Sequence, residues 1–115
     1  MPKKLKKFPA AFYQSPNGSE PVREWLQTFG KRDKTVLGLD IATVEYGWPI
    51  GMPICRPLGN GLWEIRSSLP SKRETRIIFC VIEERIVLLH GFVKKTQKTP
   101  SQDLTLAKAR KKEIE

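Results

Sequence analysis

A chain of 115 residues with 39% hydrophobic and 29% charged residues has the size and composition of a single globular domain, 1–115, with one modest core. No stretch offers the ~20 apolar residues of a membrane span, and no apolar signal core follows the basic start Met1-Pro2-Lys3-Lys4-Leu5-Lys6-Lys7, so a cytoplasmic protein with no membrane partner is expected. The net charge of +9 points to a polyanionic partner, while one His and two Cys outside any CxxC exclude a zinc site built from several such ligands.

Residues 5–13 read as a short strand, and Pro9, lacking an amide donor, sends it to a sheet edge. Ser15-Pro16-Asn17-Gly18 is a turn. Ser19 is positioned as an N-cap, with Glu20 and Pro21 in a first helical turn. Val22, Trp25, Leu26 and Phe29 recur at helical spacing, and Gly30 ends that helix. A second helix opens near Asp33, with an apolar face of Val36, Leu37, Ile41 and Val44, and stops at Gly47 before Pro49. Gly38 inside it suggests a close approach to a neighbour. The two helices form a hairpin.

The Pro- and Gly-rich stretch from Pro49 to Gly61 is a loop with a short strand around Ile54 to Leu58. Leu62–Ser68, Thr75–Glu83 and Ile86–Val93 are strands joined by short links, with Glu83-Glu84-Arg85 as the last turn, and so form an antiparallel meander. Ser101-Gln102-Asp103 caps a terminal helix with Leu104, Ala107 and Ile114 on its apolar face. The expected class is α+β: a small antiparallel sheet, meander plus N-terminal edge strand, with an N-terminal helical hairpin and a C-terminal helix.

The charge is unevenly spread: +4 over residues 1–19, −1 over 20–46, +2 over 47–93 and +4 over 94–115. By period two, Glu64 and Arg66 share a strand face with Leu62, while Trp63 and Ile65 take the other. Arg76 shares a face with Ile78, Cys80 and Ile82, and such an arginine needs a partner. That partner is either Glu64 or Glu74 in an ion pair, or a phosphate, which the guanidinium fork suits. Lys94 and Lys95 are adjacent on an extended segment, so one of them joins the face of Arg66 and Arg76. His90, within Leu88-Leu89-His90-Gly91-Phe92, is either a satisfied core residue or a general acid/base. Trp63 and Phe92 either stack on bases or pack in the core. Cys80 reads as a buried hydrophobe and Cys55 as a thiol near a loop.

Leu62-Trp63-Glu64-Ile65-Arg66, Thr75-Arg76-Ile77-Ile78-Phe79 and the run Leu88-Leu89-His90-Gly91-Phe92-Val93-Lys94-Lys95-Thr96-Gln97-Lys98-Thr99-Pro100 resemble the HigB-like, phage-associated branch of the RelE/ParE toxin superfamily. The resemblance implies the toxin of a type II toxin–antitoxin pair, cutting mRNA in the ribosomal A site with the RNA's own 2′-OH as nucleophile and without metal or cofactor. It places Arg66, Arg76 and Lys94 or Lys95 at the catalytic cations; the acid/base that some members carry near the tail has no clear match, and His90 is a candidate on its own chemistry alone. Lys3, Lys4, Lys6, Lys7, Lys98, Lys108, Arg110, Lys111 and Lys112 would dock RNA and ribosome. The implied partner is a HigA-like helix-turn-helix antitoxin. Two other outcomes of the same resemblance are a ParE-like gyrase inhibitor and a degenerate module that only binds its antitoxin.

Overall fold

The computed structural model describes residues 6–95 and 97–115. Along the chain come β1 (Ala10–Phe12), α1 (Pro21–Leu26), α2 (Lys31–Gly47), β2 (Cys55–Gly59), β3 (Leu62–Ser68), β4 (Glu74–Ile82), β5 (Arg85–Val93) and α3 (Ser101–Ile114). They make an α+β fold around a five-stranded sheet in the order β1-β5-β4-β3-β2. β2 to β5 form the expected antiparallel meander.

β1 sits at the edge, but it pairs with β5 in parallel, so the sheet is mixed. The helical hairpin carries the chain from one edge of the sheet to the other, which leaves the first strand beside the last. Only three residues of the expected 5–13 segment pair. Pro9 contributes its carbonyl alone, accepting from Ile86 N at 3.0 Å. On the outer side Ala10 N donates to Glu45 Oε2 at 2.7 Å, and the amides of Lys7 and Phe8 donate to the Glu45 carbonyl at 3.1 Å. A residue of α2 thus satisfies amides at this edge that would otherwise invite another strand.

Helix ends differ from the capping pattern in detail. Glu20, not Ser19, occupies the N-cap of α1, because the Ser19 hydroxyl is engaged with Ser15 Oγ at 2.7 Å. α2 opens two residues early, with Gly30 as N-cap, and runs to Gly47. Gly38 faces open space, so it serves no close approach. α3 starts at Ser101 behind an N-cap Pro100 and has no side-chain cap, since Asp103 is used elsewhere.

Two apolar layers sandwich the sheet. One, between the sheet and α1 and α2, holds Val22, Phe29, Leu37 and Val44 from the helical side and Ile65, Ile77, Phe79 and Leu88 from the strands, with Trp48 edge-on to Trp63 at 5.0 Å and to Phe79 at 5.3 Å. Trp63 is therefore a packing residue. Gly91 belongs to this face: an added Cβ would come within 2.5 Å of the Trp25 ring, so glycine lets α1 lie flat on β5. Beneath α3 lie Leu62, Ile78, Cys80, Val87, Leu89 and Ala107. Cys55 is as buried as Cys80, contrary to the loop-thiol expectation. Burial pushes the thiols up to about 12 and about 11, which keeps both unreactive at neutral pH.

One irregularity decides what the α3 face carries. The β4–β5 register slips between Ile78 and Phe79, opposite His90 and Leu88, leaving Leu89 as the extra residue. A bulge of this kind re-aims side chains. It lets Leu89 fill the core under α3 while His90 and Phe92 beyond it keep to the same side of the sheet.

Candidate active site

The antiparallel register stacks three cross-strand rows on the α3 face: Glu64–Ile78–His90, Arg66–Arg76–Phe92, and Ser68–Glu74 with Lys94 following on β5. The third row is closed by the Lys94 amide, which donates to the Glu74 carbonyl at 2.7 Å. Register therefore places Lys94, rather than Lys95, on the face of Arg66 and Arg76. Residues directly opposite on such a pair lie about 5 Å apart, so the rows form one polar surface.

The start of α3 covers the first row. Thr99 Oγ1 donates to Glu64 Oε1 at 2.9 Å, and His90 Nε2 lies 2.6 Å from Asp103 Oδ1. Phe92 stacks on the His90 ring, centroids 5.7 Å apart and planes 22° apart. His90 is half-buried and held by a carboxylate on one side and an aromatic face on the other, so its ring orientation is fixed. Asp103 escapes a reading from sequence because its role as partner depends on α3 folding back over β5.

The second row is where ion pairing decides between the two readings of Arg76. Its side chain is 4% exposed and its Nε lies 3.6 Å from Glu64 Oε2, itself 1% exposed. Its Nη1 donates to the Thr75 carbonyl at 2.8 Å and lies 3.9 Å from Glu74 Oε1. Arg76 is thus the buried partner of Glu64, and its guanidinium lies in the wall rather than projecting from it. Burial, and then the neighbouring Arg66 guanidinium, holds its pKa below the usual arginine value. Arg66 is the more open of the two: its Nη1 donates only to the Met52 sulfur at 3.5 Å, and its Nε is buried without a hydrogen-bond partner.

Two hollows flank these rows. One, of about 350 Å³, lies past the end of β2, where the Ile54 carbonyl still accepts from Arg66 N at 2.8 Å; Asp40, Pro53, Ile54, Arg66, Ser68, Glu74 and Arg76 line it. The other, of about 340 Å³, is lined by Glu74, Lys94, Lys95 and Gln97. Glu74 stands between them, 47% exposed, accepting from Ser68 Oγ at 3.0 Å. The structure thus brings Arg66, Arg76, Lys94, Lys95 and His90 to one end of the sheet. The carboxylates Glu64, Glu74 and Asp40 are gathered with them, which strand parity shows for Glu64 and nothing in the sequence shows for Asp40.

Among the described residues, the remaining basic groups do not form one track. Lys3 and Lys4 lie outside the described residues. Lys6 pairs with Glu45 at 3.2 Å, and Lys7 is exposed nearby. Lys98 is exposed in the segment leading to α3. Arg110 has an internal role: its Nη1 donates to the Leu89 carbonyl at 2.7 Å and its guanidinium covers the Tyr13 ring at 5.2 Å, so it pins α3 to the sheet rather than reaching outward. Lys108, Lys111 and Lys112 surround a separate hollow of about 430 Å³ beside Asn60, at the other end of α3, with Lys111 3.3 Å from Glu115.

Among the described residues no group of three or more His, Cys, Asp and Glu is placed to hold a metal ion, and no helix is long and apolar enough to cross a membrane. Residues 24–112 match the family described as Phage derived protein Gp49-like (DUF891). No curated protein matches the chain.

Proposed function

Because the chain belongs to the Gp49-like family, a RelE/HigB-like family of toxin modules from toxin–antitoxin systems, we propose that it is a toxin that cleaves mRNA on the ribosome. Family membership implies an antitoxin partner; we assign that role to a helix-turn-helix protein of the HigA type that covers the polar rows. The HigB-like branch, the ribosome and the mRNA substrate are parts of this proposal.

The observation that carries the reading is the convergence of Arg66, Lys94 and the His90–Asp103 pair on one face, from two strands and a helix. In the proposed reaction the RNA 2′-oxygen attacks the adjacent phosphorus. The P–O2′ bond forms, the P–O5′ bond breaks, and the products are a 2′,3′-cyclic phosphate and a 5′-hydroxyl. Negative charge grows on the non-bridging oxygens, and Arg66 and Lys94 stabilise it. His90, oriented by Asp103, moves a proton, taking it from the 2′-OH or giving it to the leaving 5′ oxygen. His90 and Arg66 sit two strands apart, on the order of 10 Å, a span a ribose-phosphate link bridges. Arg76 acts as a positioning residue: tied to Glu64 and Glu74, it fixes the wall beside Arg66. The ribosome supplies substrate orientation, which is worth ~7–11 kcal/mol in well-aligned reactions, so a sparse site suffices.

The test is a reconstituted translation reaction with a defined mRNA. Ribosome-dependent cuts bearing 5′-hydroxyl ends are expected. Intact mRNA in the presence of active ribosomes and folded protein overturns the proposal.

A further inference from the structure

The hollow beside β3 has a charge pattern that a phosphate alone does not explain. Two guanidiniums, Arg66 and Arg76, meet two carboxylates, Asp40 and Glu74. Glu74 already has Ser68 and Arg76 as partners. Among the described residues nothing bonds or ion-pairs with the Asp40 carboxylate. It lines the hollow together with Arg66 without forming a salt bridge to it, and Pro53 and Ile54 add apolar lining.

We propose that this hollow is a base-reading subsite of the same nuclease, in which Asp40 accepts hydrogen bonds from a guanine next to the scissile phosphate. The inference rests on the nuclease reading for its biological meaning. A ligand that suits the site needs N–H donors for Asp40, a flat body for the Pro53–Ile54 wall, and an attached phosphate within reach of Arg66. Guanine presents N1–H and the exocyclic amine side by side, matching both oxygens of one carboxylate. Adenine and cytosine offer one amino group, and uracil one imino N–H. The volume of about 350 Å³ is at the low end of the ~300–1,000 Å³ range of ligand pockets and accommodates one nucleotide. Asp40 lies on α2, outside the proton-transfer and phosphate groups, so it selects the base without joining the chemistry.

Two experiments separate the subsite from the nuclease. In NMR titrations of the whole chain, 3′-GMP should bind more tightly than 3′-AMP and shift the resonances of Asp40, Ile54 and Ser68, and Asp40→Asn should erase the difference while leaving the melting curve in place. In the translation reaction, cuts should favour a guanine at one fixed position, and Asp40→Asn should lower that preference roughly tenfold or more. Equal affinity for the two nucleotides, or a preference that survives in Asp40→Asn, overturns the subsite. Nucleotide discrimination without any cleavage overturns the nuclease reading and leaves the subsite standing.

Discussion

The two faces of the sheet are built on opposite terms. The face under α1 and α2 is apolar through the rows of Trp63 and Ile65, carries only the buried hydroxyls of Ser67 and Thr75 in the row of Val93, and is closed by aromatic rings. The face under α3 changes character halfway: Leu62, Ile78, Cys80 and Leu89 are covered by the helix, Glu64 and His90 lie under its start, and Arg66, Arg76 and Glu74 gather past it. The same strands supply both halves, so the difference lies in where α3 begins. Thr99, just ahead of it, lands on Glu64 and Asp103 of its first turn on His90; past them Arg66 and Glu74 are the more open groups, while Arg76 is buried in its ion pairs. A charged side chain on a strand is structural where something covers it and available where nothing does.

The sharpest way to break this comparison is at its boundary. Arg76→Ala leaves the Glu64 carboxylate, 1% exposed, without its cation. Removing one partner of a buried pair costs about 3–5 kcal/mol. Chemical denaturation should show a loss of that size, and loss of mRNA cleavage by this variant would follow from unfolding alone. Replacing both partners, Arg76→Met with Glu64→Leu, should recover much of the stability while the wall beside Arg66 stays distorted. Arg66→Ala is the matched experiment on the open side. Its guanidinium makes one bond, to a thioether, so stability should change by less than about 0.5 kcal/mol. Cleavage should fall by roughly 10²–10³-fold, the usual effect of removing a group that stabilises transition-state charge. Equal loss of stability in both variants would erase the distinction between the two arginines.

These residues also mark what the sequence could convey. Period-two spacing put Glu64 with Arg66 on one strand and Arg76 with Ile78 and Cys80 on the next, and the register sets those two faces on the same side of the sheet. The fold class and the meander were legible because β-branched runs and short links leave few alternatives. Whether Arg76 is paired or presented was not legible, because the answer depends on how deeply the second row is buried, and that depends on α3. Nor was the choice between Lys94 and Lys95, which turns on where the β5 register sits after the bulge at Leu89. The parallel pairing of β1 is a matter of topology that no local pattern records. Asp103 was read as a cap from its place in the first turn, where a carboxylate also suits the helix dipole; a tertiary partner, His90, took it instead.

The apolar face can be broken at one point. Gly91 sits under Trp25, and a Cβ there would approach the indole ring to 2.5 Å. Because the ring is wedged edge-on to Phe29 at 4.9 Å, it cannot swing away cheaply. Gly91→Ala should cost about 1–3 kcal/mol in denaturant unfolding, the usual range for overpacking. A neutral result would mean that α1 rides loosely on β5, and the closed character of this face would then stop short of α1.

Gly38 sharpens the same comparison from the other direction. It lies in the middle of α2, on the side turned away from the sheet, and a Cβ there meets no atom within 4 Å. Its backbone is ordinary helix, so alanine fits without strain and restricts only the unfolded chain. Gly38→Ala should therefore stabilise the protein by about 0.4–1 kcal/mol, read as a higher denaturation midpoint with an unchanged slope. The two glycines then give opposite signs for the same added methyl group. The sign at Gly38 also bears on function, because Asp40 is two residues further along the same helix. A stabilised α2 that leaves cleavage sites unchanged places base selection in the carboxylate itself, whereas a changed preference would mean that the helix carrying Asp40 must give way for a nucleotide to enter.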